Sequence, residues 1–112
     1  MSLRGPGECL HVFNATATSG SVGFGITPVP TQRIYVYRLI VTIGAPAVTV
    51  QIQDLASVPI SQQFQLSANG AIVLDTQSNG DPWFFCSAGQ GLQFVQSGTT
   101  PLSFDVWYLQ GR

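Results

Sequence analysis

Apolar and polar residues alternate along most of this chain, in short runs that Gly, Pro and Asn separate. Alternation with a period of two is typical of β-strands, because successive side chains point to opposite faces of a sheet. The last run shows it most clearly, with four apolar residues on one face: Leu102, Phe104, Val106 and Tyr108. The opposite face carries Ser103, Asp105, Trp107 and Leu109. No stretch follows the period of a helix.

The run from Arg33 to Ile43 is the strongest strand signal, since it is dense in β-branched and aromatic residues. Its odd positions are predicted to face the core: Tyr35, Tyr37, Leu39, Val41 and Ile43. Its even positions are then predicted to point outward, although three of them are large aliphatics: Ile34, Val36 and Ile40. A strand that is apolar on both faces is covered on both. Because no helix is predicted, we expect a second subunit to be the cover, with this interface: Ile34, Val36, Ile40, Trp107 and Leu109.

About eight such strands, beginning with Leu10 to Thr16, predict an all-β fold. We predict an antiparallel β-sandwich of jelly-roll or related Greek-key topology, with a small closed barrel as the main alternative. Asn69–Gly70 is a hairpin turn signal. Residues 10–112 are expected to form a single domain, preceded by an extended arm over residues 1–9.

Charge is scarce: charged residues make up 8% of the chain, and lysine is absent. Soluble β-proteins use surface charge, and Lys in particular, to protect exposed sheet edges. Their absence predicts that the edges are hidden against partner subunits. The net charge is −1 and the four arginines are scattered, so we expect no nucleic-acid partner.

Neither a secretion signal nor a membrane span is predicted. Residues 1–10 lack the apolar segment of a signal peptide, and the apolar stretch from Ile34 to Val50 is interrupted by Arg38, Gly44 and Pro46. We therefore expect synthesis in a cytoplasm and no membrane partner. Cys9 and Cys86 are predicted to be buried thiols, with a late disulfide as the alternative.

No enzyme signature is present. Asp54, Asp75 and Asp81 fall at strand ends or turns, which Asp favours for local reasons. His11 is the only histidine, and no G-x-S-x-G, P-loop or dinucleotide motif occurs. We predict no catalytic residue, no cofactor and no metal ligand. The aromatic side chains are predicted to be core or interface residues, and a sugar-stacking platform that includes Trp83 and Trp107 is the alternative.

Six different segments between residues 34 and 109 together form a recognisable pattern. They are the aliphatic strand Ile34–Ile43, the strand Val48–Asp54, the segment Pro59–Gly70, the D-P-W-F element at 81–84, the A-G-Q-G-L-Q-F segment at 88–94, and the closing W-Y-L at 107–109. In this pattern the chain resembles small tailed-bacteriophage virion proteins of the capsid decoration or cement type. The resemblance implies a β-sandwich that oligomerises, often as a trimer, and binds the major capsid protein on the outside of the virion. It implies no catalytic residues.

The sequence therefore predicts a structural virion protein, made in a bacterial host cytoplasm, that stabilises a capsid as a homo-oligomer. A carbohydrate- or receptor-binding module of a phage tail or fibre is the first alternative. A hydrolase with an unrecognised site around His11 is the second.

Overall fold

The computed structural model describes residues 9–18 and 20–112 and contains nine β-strands in that part of the chain. The arm predicted over residues 1–9 lies outside the described residues, apart from Cys9. The strands, in chain order, are β1 Leu10–Ala17, β2 Ser21–Gly23, β3 Arg33–Ile43, β4 Val48–Asp54, β5 Phe64–Leu66, β6 Ala71–Leu74, β7 Phe84–Phe85, β8 Leu92–Gln96 and β9 Leu102–Gly111. No helix long and apolar enough to cross a membrane occurs in the described residues.

The strands form two antiparallel sheets with a nested order. A five-stranded sheet has the order β1-β9-β3-β6, with β7 also paired to β3, and a four-stranded sheet has the order β2-β8-β4-β5. Early strands therefore pair with late ones: β1 with β9, β2 with β8, β3 with β6 and β4 with β5. This is one long hairpin rolled into two sheets, which is the jelly-roll topology. The prediction of an antiparallel β-sandwich is confirmed.

The core lies between the sheets and follows the alternation of the sequence. Val48, Val50 and Ile52 of β4 are buried, as are Leu102, Phe104 and Val106 of β9. Three phenylalanines join the sheets at the centre of the core. Phe24 stacks on Phe94 of β8 with ring centroids 4.3 Å apart, and Phe94 meets Phe104 of β9 at 4.9 Å.

A β-bulge in β3 overturns part of the predicted interface. Ile34 and Val36 were predicted to point outward, but both are fully buried in the core. The pairing of β3 with β9 shifts register between Val36 and Arg38, where β3 carries one extra residue. Because an extra residue reverses which side chains face inward, even positions are buried before the bulge and odd positions after it. The outward orientation predicted for Ile34 and Val36 is wrong.

The turn at Asn69–Gly70 also differs from its prediction. It connects β5 of the four-stranded sheet to β6 of the five-stranded sheet, so it forms a corner between sheets rather than a hairpin. Asn69 has a φ of 61°, and a Cβ on Gly70 would lie 2.8 Å from the carbonyl oxygen of Ser67. The prediction of a turn at Asn69–Gly70 is therefore confirmed, but the two strands that it connects do not pair with each other.

Two buried polar side chains, Asp54 and Thr100, hold loops in place through hydrogen bonds. Asp54 accepts hydrogen bonds from the backbone N–H groups of Ala56 (2.8 Å) and Val58 (2.9 Å), so its predicted turn role is confirmed. Thr100 donates through Oγ1 to the carbonyl of Pro46 at 2.7 Å. The two cysteines form no disulfide, and Cys86 is buried while Cys9 is half-buried.

Candidate interaction surface

The five-stranded sheet presents a broad outer face that nothing in the described residues covers. Strand register places its side chains in cross-strand rows, and we call this set the outer face. Its members come from all five strands or from positions next to them: His11, Phe13, Arg33, Tyr35, Arg38, Ile40, Val73, Asp75, Phe85, Asp105, Trp107 and Leu109. Of the five residues predicted at an interface, Ile40, Trp107 and Leu109 belong to this face, and all three are half-buried.

Trp107 lies at the centre of the outer face between side chains of both neighbouring strands. His11 of β1 stacks on it, with ring centroids 4.5 Å apart and an interplanar angle of 16°. The guanidinium of Arg38, from β3, lies 4.4 Å from the centroid of the same ring. Since β1 and β3 flank β9, the two faces of the indole are both occupied. The ring is therefore fixed and leaves no open face for a ligand to stack on.

Two contacts between oppositely charged groups lie on the outer face. His11 Nε2 lies 2.8 Å from Asp105 Oδ1, and both side chains are about two-fifths exposed. Arg38 Nε lies 3.1 Å from Asp75 Oδ1, at an angle that does not make a hydrogen bond. Exposed pairs of this kind contribute little to stability. They give Arg38, Asp75 and Asp105 polar partners on the face, whereas Arg33 lies over the ring of Phe85.

A second aromatic row crosses the outer face at the end of the sheet that carries β7. Leu109 of β9 lies opposite Tyr35 of β3, which in turn lies opposite Phe85 of β7. The rings of Tyr35 and Phe85 are 6.0 Å apart, and the guanidinium of Arg33 lies 5.7 Å from the centroid of Phe85. Both arginines of β3 thus rest on aromatic rings.

Three of the most exposed apolar side chains of the outer face were not among the predicted site residues. Phe13 is 66% exposed, Val73 is 61% exposed and Phe85 is 51% exposed. Val73 and Phe85 lie in strands of four and two residues, where the sequence gives too few alternating positions to fix a side. For Phe13 a signal existed, because its alternation with Val12 places it on the same side as His11.

The outer face of the four-stranded sheet is different in character. Its strands carry one charged residue, Asp54, and that residue is buried. Glutamines occupy this face and bond to neighbouring groups: Gln53 donates to Gln51 at 2.8 Å, and Gln93 donates to the carbonyl of Asp54 at 2.9 Å. The two faces of the sandwich are therefore an aromatic face and an uncharged amide face.

No catalytic arrangement is apparent in residues 9–18 and 20–112. No three His, Cys, Asp or Glu side chains among them come together as a metal site would require. A shallow depression of about 450 Å³ beside β4 and β5 is lined by uncharged groups, including Thr49, Gln65 and Ser97. His11 pairs with one carboxylate, Asp105, on an open sheet face rather than in a cleft. The prediction that the protein is not an enzyme stays a prediction.

No protein-family model and no curated protein matches the sequence.

Proposed function

We propose that the protein is a structural virion protein of the capsid decoration or cement type, which binds the outside of a capsid and stabilises it as an oligomer. The observation that carries the proposal is the outer face, an uncovered sheet surface rich in aromatic and aliphatic side chains. A contiguous exposed apolar patch on a soluble protein marks an interaction site. The family resemblance supplies the identity of the partner.

The size of the outer face suits a protein partner. Four strands at a spacing of about 4.8 Å and eight residues at about 3.3 Å give a flat footprint of roughly 500 Å². This footprint is more than half of the roughly 800 Å² that each partner buries in a standard interface.

The composition of the face suits burial. Charged groups are costly to remove from water unless they are paired, and here Arg38 and Asp105 already have partners in their own chain. The apolar side chains Phe13, Val73 and Phe85 would supply the gain on association. Such a contact is driven by apolar burial, and salt screens it little.

The carbohydrate-binding alternative receives less support from the geometry. Sugar stacking needs an open aromatic face, whereas both faces of Trp107 are occupied by His11 and Arg38. Trp83 is 38% exposed, and its indole N–H donates to the carbonyl of Asp75 at 2.7 Å. That alternative therefore depends on Trp83 and not on the central tryptophan.

The test is binding to capsid shells prepared without the protein, followed by imaging of the decorated particle. Val73→Asp places a charge on the outer face and is expected to abolish binding. Gln65→Asp places the same charge at an exposed position of the other sheet and is the matched control, expected to bind normally. Binding of the natural chain is expected to persist at about 1 M salt, where the Debye length is about 3 Å. Failure to bind shells, or equal loss in both variants, would contradict the proposal.

A further inference from the structure

The strand β1 is the one long edge in the described part of the sandwich. Natural sheets protect their edges by keeping edge strands very short. The other edge strands follow this rule, since β6 has four residues, β2 and β5 have three each and β7 has two. In contrast, β1 has eight residues. It pairs with β9 on one side, and no described strand pairs with its other side.

Further protective devices are also missing from most of β1. Leu10–Ala17 contains no Lys, Arg, Asp, Glu or Pro. A register shift between Asn14 and Ala17 interrupts the second half of the strand, but Leu10–Asn14 pairs regularly with β9. These five residues also carry two of the most exposed apolar side chains in the described part of the chain, Leu10 at 56% and Phe13 at 66%. An edge of this kind is a template for another strand.

We infer that Leu10–Asn14 pairs antiparallel with the same segment of a second copy of this chain, around a two-fold axis at Val12. The axis follows from geometry. Opposite residues of an antiparallel pair lie on the same face, and a register centred on Val12 is the one that pairs all five residues. His11 of each copy then lies opposite Phe13 of the other. The two five-stranded sheets become one continuous sheet, and their outer faces become one surface.

The lack of charge on the segment favours a second copy as the occupant. Near its axis a two-fold contact brings a segment against itself, so an unpaired charge there would face a like charge. The open segment meets this condition because its only titratable side chain, His11, is paired with Asp105 of its own chain. The same lack of charge gives a charged peptide nothing to recognise. The inference is independent of the proposed function, and it specifies a two-fold contact where the resemblance implies a three-fold one.

The area that the dimer contact would bury can be estimated from the exposed groups of the segment. The exposed parts of Leu10 and Phe13, with the backbone edge of five residues, would bury on the order of 400 Å² per protomer. An interface of about 800 Å² in total is smaller than the roughly 1,200–2,000 Å² of stable complexes and falls in the range of weak, transient association. We therefore expect a weak dimer, which sedimentation analysis over about 1–200 µM is expected to detect.

The first test compares two lysine substitutions at edges of the same sheet. Phe13→Lys lies on β1, and Val73→Lys lies on the opposite edge at similar exposure. Phe13→Lys is expected to raise the dissociation constant at least about tenfold, and Val73→Lys is expected to leave it unchanged. A monomeric natural chain, or a dimer or trimer that Phe13→Lys leaves intact, would overturn the inference.

The second test fixes the register. In a Cys9→Ser background, Val12→Cys places two thiols across the two-fold axis, where paired Cα atoms are about 4.5–5.5 Å apart and within disulfide reach. We expect a covalent dimer on mild oxidation, and none from Val73→Cys at the same concentration. Equal cross-linking of the two variants would refute the register. A dimer that fails to bind capsid shells would contradict only the proposed function. A monomer that binds them would contradict only the inferred dimer.

Discussion

The two isoleucines Ile34 and Ile40 offer the sharpest test of how β3 is oriented. Both were predicted to face outward at an interface, but the bulge buries Ile34 completely and leaves Ile40 half-exposed on the outer face. The variants Ile34→Ala and Ile40→Ala remove the same atoms from the same strand. They should therefore separate folding from association.

The expected costs follow from burial. Ile34→Ala removes three carbons from the core, worth about 2.5 kcal/mol at about 0.8 kcal/mol each, and the cavity left behind raises this to about 3–4 kcal/mol. Ile40→Ala removes carbons that water already reaches in part, so it should cost about 1 kcal/mol or less. Loss of Ile40 should instead weaken binding to capsid shells, because its side chain stands on the outer face.

Urea unfolding followed by tryptophan fluorescence measures the difference. With an m-value of about 2 kcal/mol per molar urea, Ile34→Ala should lower the midpoint by more than about 1 M. Ile40→Ala should lower it by about 0.5 M or less. Shell binding, measured well below both midpoints, should be normal for Ile34→Ala and reduced for Ile40→Ala. Equal midpoints for the two variants, or the reverse order, would refute the assignment of the two side chains to opposite faces.

Three further predictions test the core and the outer face. Phe24→Ala should lower the free energy of unfolding by about 3–5 kcal/mol because Phe24 stacks in the aromatic cluster of the core, and a loss below about 1 kcal/mol would contradict that packing. Thr100→Val should cost about 1–3 kcal/mol by leaving the carbonyl of Pro46 without its donor, and unchanged thermal unfolding would show that the bond contributes nothing. Arg38→Lys keeps the charge but loses the planar stack on Trp107, so we expect altered tryptophan fluorescence and weaker shell binding, and wild-type values for both would contradict the stacking argument.

Alternation in the sequence was sufficient to predict most strands and most buried side chains. It succeeded where one face is clearly polar, as in β4, where Val48, Val50 and Ile52 alternate with Thr49, Gln51 and Gln53. A strand with one polar face has only one orientation that buries its apolar side chains. In such strands the period of two fixes both the secondary structure and the direction of each side chain.

Alternation failed in β3 because the bulge is a one-residue event in a strand that is apolar at most positions. The polar residues of β3 do indicate the bulge, because they shift from odd to even positions along the strand. Arg33 and Tyr35 occupy odd positions, whereas Arg38 and Thr42 occupy even positions. A strand with one continuous face cannot place all four polar groups on one side unless an extra residue lies between Tyr35 and Arg38. The prediction placed too many apolar side chains of β3 on the outside, because it assumed strict alternation through the bulge.

The outer face was harder to predict than the core because it is assembled from strands distant in sequence. Trp107 gains its neighbours His11 and Arg38 through the nested pairing of β1, β9 and β3, and no local pattern announces that pairing. The prediction identified Trp107 and Leu109 as outward-facing. It could not identify that Phe85 would join them, since Phe85 belongs to a strand of only two residues.

The absence of lysine and the placement of the arginines lower the cost of removing the outer face from water. A lysine ammonium is strongly hydrated, whereas a guanidinium is weakly hydrated and stacks on aromatic rings. Arg33 and Arg38 rest on Phe85 and Trp107, so part of their surface is already withdrawn from water before any partner arrives. Covering such a face costs less desolvation than covering the same charges on lysine.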